Sequence, residues 1–153
     1  MQLVSGPLPA ADSSLPEIAI PVDRFTLAKR LWRGVAADGV EFGFELPAPL
    51  RHGDTVLQSS SARYTIRQAE EAIVEIPLDM PPSAAAGVGW AIGNLHLELS
   101  SEPARLLAAD EPAIRQLLDR LKVPYRAGRA VFRPGRFSRG TQSSHEIGPG
   151  HRH

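Results

Sequence analysis

The apolar residues of this chain change their spacing part-way along, and one kind of secondary structure cannot serve both spacings. In the first half Val40, Phe42, Phe44 and Leu46 alternate with Glu41, Gly43 and Glu45, the two-residue period of a strand with one wet face. In the second half Ile114, Leu117, Leu118 and Leu121 recur at helical spacing, which sets one apolar stripe along a helix. An α+β protein is expected, with an all-β first part. At 153 residues, 42% of them apolar, the chain can bury one modest core or two small ones.

Residues 1–15 mix Pro, Ala, Ser and Asp without periodicity and are expected to be a loosely held leader. Phe25 to Leu46 reads as a long hairpin around Ala37-Asp38-Gly39. Arg51-His52-Gly53-Asp54 is a second turn, followed by a short strand pair, Thr55 to Leu57 and Arg63 to Arg67. Beyond it, Glu71 to Leu78 is a strand candidate and Ser83 to Ile92 a helix, with Gly93 placed to end it in the left-handed conformation. Leu95, Leu97 and Leu99 alternate with His96 and Glu98, which predicts a strand with His96 on the face opposite the leucines. Ala104 to Ala108 returns the chain, Asp110 can cap a helix from Glu111 to Leu121, and a last strand runs from about Tyr125 to Phe132. The order β-α-β-β-α-β is that of a ferredoxin-like split βαβ unit. After Phe137 the composition turns to Ser, Gly, Arg and His, and a mobile tail is expected. The expected division is leader 1–15, β-rich domain 16–75, ferredoxin-like domain 76–138 and a disordered histidine-containing tail 139–153.

Seventeen basic and seventeen acidic residues cancel, so the whole-molecule field argues against nucleic acid and anionic membranes as partners. No apolar run approaches the roughly 20 residues that span a bilayer. The start lacks a secretory pattern, and a cytoplasmic protein is expected. There are no cysteines, which removes disulfides, thiolate metal sites and cysteine nucleophiles. Any metal must meet nitrogen and oxygen donors.

Four histidines are the candidate ligands: His96, His145, His151 and His153. Neutral imidazole suits nickel, copper and zinc, and selection among them follows geometry and availability more than affinity. One His96 is a weak ligand, but a two-fold axis beside it would bring two imidazoles together. The sixteen residues after Phe137 would reach roughly 20 to 25 Å as a flexible coil, so tail histidines can fill open positions. His151 and His153 are two apart, which faces both rings the same way in an extended chain. Binding should weaken as pH falls below the ordinary imidazole value of about 6.5, because the ligand must be deprotonated. His52 reads as a turn residue, and Trp32 and Trp90 as core. Arg120 to Arg139 carries seven basic residues and no acidic ones, either a docking face for an acidic partner or a charged guard on an edge strand.

In order along the chain stand Leu27-Ala28-Lys29-Arg30-Leu31-Trp32-Arg33, Ala37-Asp38-Gly39, Phe42, the Leu46-Pro47 to Asp54 turn, Gly93-Asn94-Leu95-His96, Asp110 with the helix to Leu121, and Val131-Phe132-Arg133-Pro134. From about residue 17 onward this set resembles the UreE family of urease accessory proteins, which are nickel metallochaperones. The glycine-asparagine-X-histidine element is the most specific piece, and in the family its histidine binds nickel where two subunits meet. The resemblance implies a homodimer and a first domain similar to the peptide-binding domain of heat-shock-40-type chaperones. It also implies a cytoplasmic role delivering Ni(II) to the urease apoprotein through the accessory GTPase UreG, with Zn(II) or Cu(II) able to compete in vitro. Many family members end in a dense histidine run, where this tail has three histidines and Glu146. The alternative is a peptide-binding or assembly adaptor of the urease maturation complex with little or no metal binding. A small hydrolase using His96 and Asp110 ranks last, since the chain has no glycine-framed serine and no cysteine.

Overall fold

A computed structural model describes residues 1–139 and 142–146. The chain divides between Ala69 and Glu70 into two compact units. The first contains β1 (Gln2–Val4), β2 (Glu17–Val22), α1 (Arg24–Leu27), β3 (Leu31–Val35), β4 (Glu41–Glu45), β5 (Thr55–Gln58) and β6 (Arg63–Gln68). They form two three-stranded sheets in the orders β1-β4-β3 and β2-β6-β5. The alternation around Phe42 and Phe44 puts both rings inside with Trp32, Ile20 and Ile66. Trp32 and Phe44 face each other across the β3–β4 ladder with ring centroids 4.0 Å apart. Gly39 takes φ +89° in the connecting turn, a conformation that costs glycine little.

The second unit contains β7 (Glu71–Pro77), α2 (Pro82–Asn94), β8 (Ser100–Ser101), β9 (Arg105–Ala109), α3 (Pro112–Leu121), β10 (Arg126–Ala130), β11 (Arg136–Arg139) and β12 (Gln142–Glu146). Four of its strands form an antiparallel sheet in the order β10-β7-β9-β8. Side chains alternate across that sheet. Val74, Ile76, Leu106 and Ala108 point to one face and pack with Val88 and Ile92 of α2 and Ile114, Leu117 and Leu118 of α3. Ile73 and Leu107 point to the other face, where Phe132 covers them. On that second face Arg105 and Arg126 both pair with Glu75.

Several elements depart from the sequence reading. The expected leader is partly strand: Gln2–Val4 lies parallel to β4, and Val4 enters the core. The first part is not all-β, because Asp23 accepts the Thr26 N–H at 2.9 Å and caps the single turn of α1 where a strand was expected. β7 belongs whole to the second unit, so a boundary after residue 75 would cut it. Asp110 does not cap α3; its two oxygens take the Arg115 guanidinium at 2.7 and 2.8 Å. The cap position falls instead to Glu111, whose side chain makes no capping bond, and α3 starts at Pro112. The tail expected from 139 contains strand β12, paired antiparallel with β11. No helix among the described residues is long and apolar enough to cross a membrane.

Candidate metal centre

The strand expected at Leu95 to Leu99 is absent, and His96 lies instead in the closing turn of α2. The Leu97 N–H donates to the Ile92 carbonyl at 3.3 Å and the His96 N–H to the Gly93 carbonyl at 2.9 Å. This nested pair is the Schellman arrangement, with His96 at the position one past the helix cap. Glycine usually occupies that position because it requires the left-handed conformation. Here His96 has φ +57°, a conformation that costs an ordinary L-residue roughly 1–2 kcal/mol. Gly93, expected to take it, remains helical. The apolar contact that accompanies this cap comes from Leu97, packed on the cluster that contains buried Ile92. His96 itself is exposed.

The helix that delivers His96 has an open side. Val88 and Ile92 point into the core, whereas Ala86, Gly87, Trp90, Gly93 and Asn94 are all exposed and share one face. Trp90 is 71% exposed and Leu95, at the end of the helix, 45%, so Trp90 is not the core residue its type suggested. A Cβ on Gly87 or Gly93 would meet nothing within 4 Å. Glycine inside a helix costs about 1 kcal/mol relative to alanine, and no contact among the described residues accounts for the two. The sequence signal was present in the small residues from Ala84 to Gly93, which only Val88, Trp90 and Ile92 interrupt.

The remaining candidates are dispersed. His145 lies in β12 opposite Phe137 of β11, while His151 and His153 fall outside the described residues. His52 is a turn residue with a structural task, its Nδ1 accepting the Gln68 N–H at 2.9 Å. The Arg115 guanidinium holds the Asp110 carboxyl below the usual carboxylate range, which commits Asp110 to that ion pair. Among the described residues no three His, Cys, Asp or Glu side chains converge. A metal held by His96 would therefore draw its other ligands from a second copy, from solvent or from further along the tail.

Residues 71–153 match the family model described as UreE urease accessory protein, C-terminal domain. A urease accessory protein UreE of Rhodobacter capsulatus is 31% identical over the whole of this chain and 97% of its own length. The chain belongs to the UreE family. A second UreE, from Rhizobium meliloti (strain 1021), is 25% identical over 98% of this chain and 95% of its own length. One from Bifidobacterium longum subsp. infantis is 32% identical over 63% of this chain and 44% of its own. The matched family domain contains α2, His96 and the sheet of the second unit. UreE is a family of urease accessory proteins rather than of enzymes, and membership implies a role in urease maturation.

Proposed function

We propose that this chain is a nickel metallochaperone: a homodimer that holds Ni(II) between two copies of His96, adds donors from His145, His151 and His153, and delivers the ion for urease maturation. The observation that carries the reading is His96 itself, exposed and held at φ +57° beside an apolar, glycine-lined helix face that nothing among the described residues covers. Strained left-handed residues persist where the surroundings over-determine them and cluster at functional sites. An isologous contact through the α2 face would repeat His96 on both sides. Two imidazoles leave coordination positions open, which suits a carrier that must release its cargo. Zn(II) and Cu(II) fit the same donors and would compete.

In this reading the second unit, with strand order β10-β7-β9-β8, is a ferredoxin-like metal-binding and dimerisation domain. The first unit is a peptide-binding-like domain, the partners are the accessory GTPase UreG and the urease apoprotein, and the place of action is the cytoplasm. Isothermal titration of the full chain with Ni(II) at neutral pH should give one tight ion per two chains, lost in His96→Ala. Tight binding that survives the substitution would refute the role assigned to His96.

One observation favours a second reading, an assembly adaptor with little metal duty. The first unit carries a groove of about 860 Å³ lined by Met1, Leu3, Leu31, Trp32 and Phe44 among others, with Leu3 81% and Leu31 74% exposed. An exposed apolar surface beside edge strands is suited to an extended peptide. The two readings part at the titration, since an adaptor would bind no nickel tightly.

A further inference from the structure

The four-stranded sheet of the second unit has one covered edge and one open edge. β11 lies against β8, whereas β10, among the described residues, pairs with β7 alone. Arg126, Ala127, Gly128 and Arg129 are exposed, and only Ala130 is half-buried. An unpaired edge is a template for another strand, and proteins blunt it with proline, bulges or charge. β10 has no proline and keeps its register with β7 from Arg126 to Ala130, so charge is the guard it carries. Between the two arginines stand Ala127 and Gly128, small enough for a second backbone to approach. A Cβ on Gly128 would meet Ile73 Cδ1 at an ordinary 3.6 Å, so packing within the sheet does not demand the glycine.

The guard has one sign, and that sign selects what can dock. From Arg120 to Gly135 stand Arg120, Lys122, Arg126, Arg129 and Arg133, with no acidic residue among them. Arg126 reaches the Glu75 carboxylate at 2.9 Å, but Arg105 shares that carboxylate at 3.4 Å and the Arg126 side chain stays 69% exposed. Arg129 bonds the neutral Glu70 carbonyl at 3.1 Å. Three residues apart on a strand, the two guanidinium groups lie on opposite faces of the sheet. They flank an edge rather than form the single basic stripe that marks a nucleic-acid site. A second copy of β10 would bring four guanidinium groups to one seam, and like charges across a strand pair are destabilising. We propose that the outer edge of β10 docks an extended acidic segment of a partner protein, which adds beside it as a strand with one carboxylate opposite Arg126 and another opposite Arg129. Main-chain bonds along such an edge supply affinity, and the side-chain pattern supplies specificity. The nickel reading does not use this surface, so the two stand or fall separately.

The test titrates the full chain into a capped, fluorescent peptide of about eight residues, alternating valine and threonine except for two glutamates three positions apart, with binding read by anisotropy at low salt. Arg126→Glu with Arg129→Glu should weaken binding at least about ten-fold, and the same variant should bind the peptide that carries lysine in place of glutamate. If that variant does not fold, Arg126→Gln with Arg129→Gln reads the same contacts as a loss of roughly three- to ten-fold. The glutamate peptide should also slow hydrogen exchange at the outward amides of β10, and a copy methylated on its backbone nitrogens should bind far less tightly. No binding by the wild-type chain, or equal binding by the charge variants, overturns the proposal. Equal binding of the methylated peptide overturns it too, leaving a charged patch without strand addition. So do outward β10 amides already slow to exchange in the free protein, the mark of a second copy on this edge, and an oligonucleotide that displaces the peptide and binds the site more tightly.

Discussion

His96→Gly should melt higher than the wild-type protein and bind no nickel tightly. The imidazole sits at φ +57°, where glycine carries no Cβ penalty, so relief of roughly 1–2 kcal/mol is offset in part by the greater freedom of glycine in the unfolded chain. A net gain of about 1 kcal/mol should raise the melting temperature of the second unit by roughly 4 °C. His96→Ala removes the same ligand and keeps the strained backbone, so it should melt near wild type. Lys122 supplies the control. It closes α3 at φ +56° with the same nested bonds, Val123 N–H to Leu118 O at 2.9 Å and Lys122 N–H to Asp119 O at 3.1 Å. Lys122→Gly should gain similar stability and keep its nickel. Calorimetric melts with and without nickel check all three, since a bound ligand raises the melting temperature only of the chains that hold it. A His96→Gly protein that melts lower than wild type would show that the histidine is there for the fold.

In the proposed dimer, Trp90→Glu should separate the two copies while leaving each chain folded. Trp90 is 71% exposed on the open face of α2, so within one chain the exchange touches little and should change stability by less than about 0.5 kcal/mol. A two-fold contact through this face repeats the exchange on both sides, and a charge buried twice is costly where a tryptophan anchors an interface. A loss of at least about 3 kcal/mol, more than 100-fold in dimer dissociation, is expected. Nickel affinity should fall with it although His96 is untouched, because each ion loses half of its imidazoles. Trp90→Phe keeps an aromatic anchor and should stay paired. Sedimentation over a concentration series reads the outcome, and a Trp90→Glu protein that remains dimeric would place the contact elsewhere.

What the sequence made legible, and what it hid, follows from how far each feature depends on distant residues. The β3–β4 hairpin could be read because the alternation at Phe42 and Phe44 and the turn at Asp38-Gly39 are both local signals. The helical stripe from Ile114 to Leu118 was legible for the same reason. The strand β1 was hidden, because three residues that pair with the edge of β4 carry no periodicity of their own. Leu95, Leu97 and Leu99 imitate a strand, yet Leu97 and Leu99 pack on the helical core from a loop and Leu95 stays largely outside. Gly93-Asn94-Leu95-His96 marked a helix end, but glycine and asparagine both invite the left-handed conformation, and composition could not reveal that the chain assigns it to the histidine. Asp110 looked like a cap because Arg115, which takes its carboxylate, stands five residues further on and outside the local capping pattern. Trp90 looked like core because aromatic residues usually are, yet it stands 71% exposed on the open side of α2.

The most direct test of a nickel site shared between two copies is a crystal of the nickel-loaded protein with diffraction recorded on both sides of the nickel absorption edge. An anomalous peak on a two-fold axis, with an imidazole nitrogen of His96 from each of two chains about 2 Å away, is the predicted result. A peak bound within one chain, or one with no His96 nitrogen in reach, would contradict it.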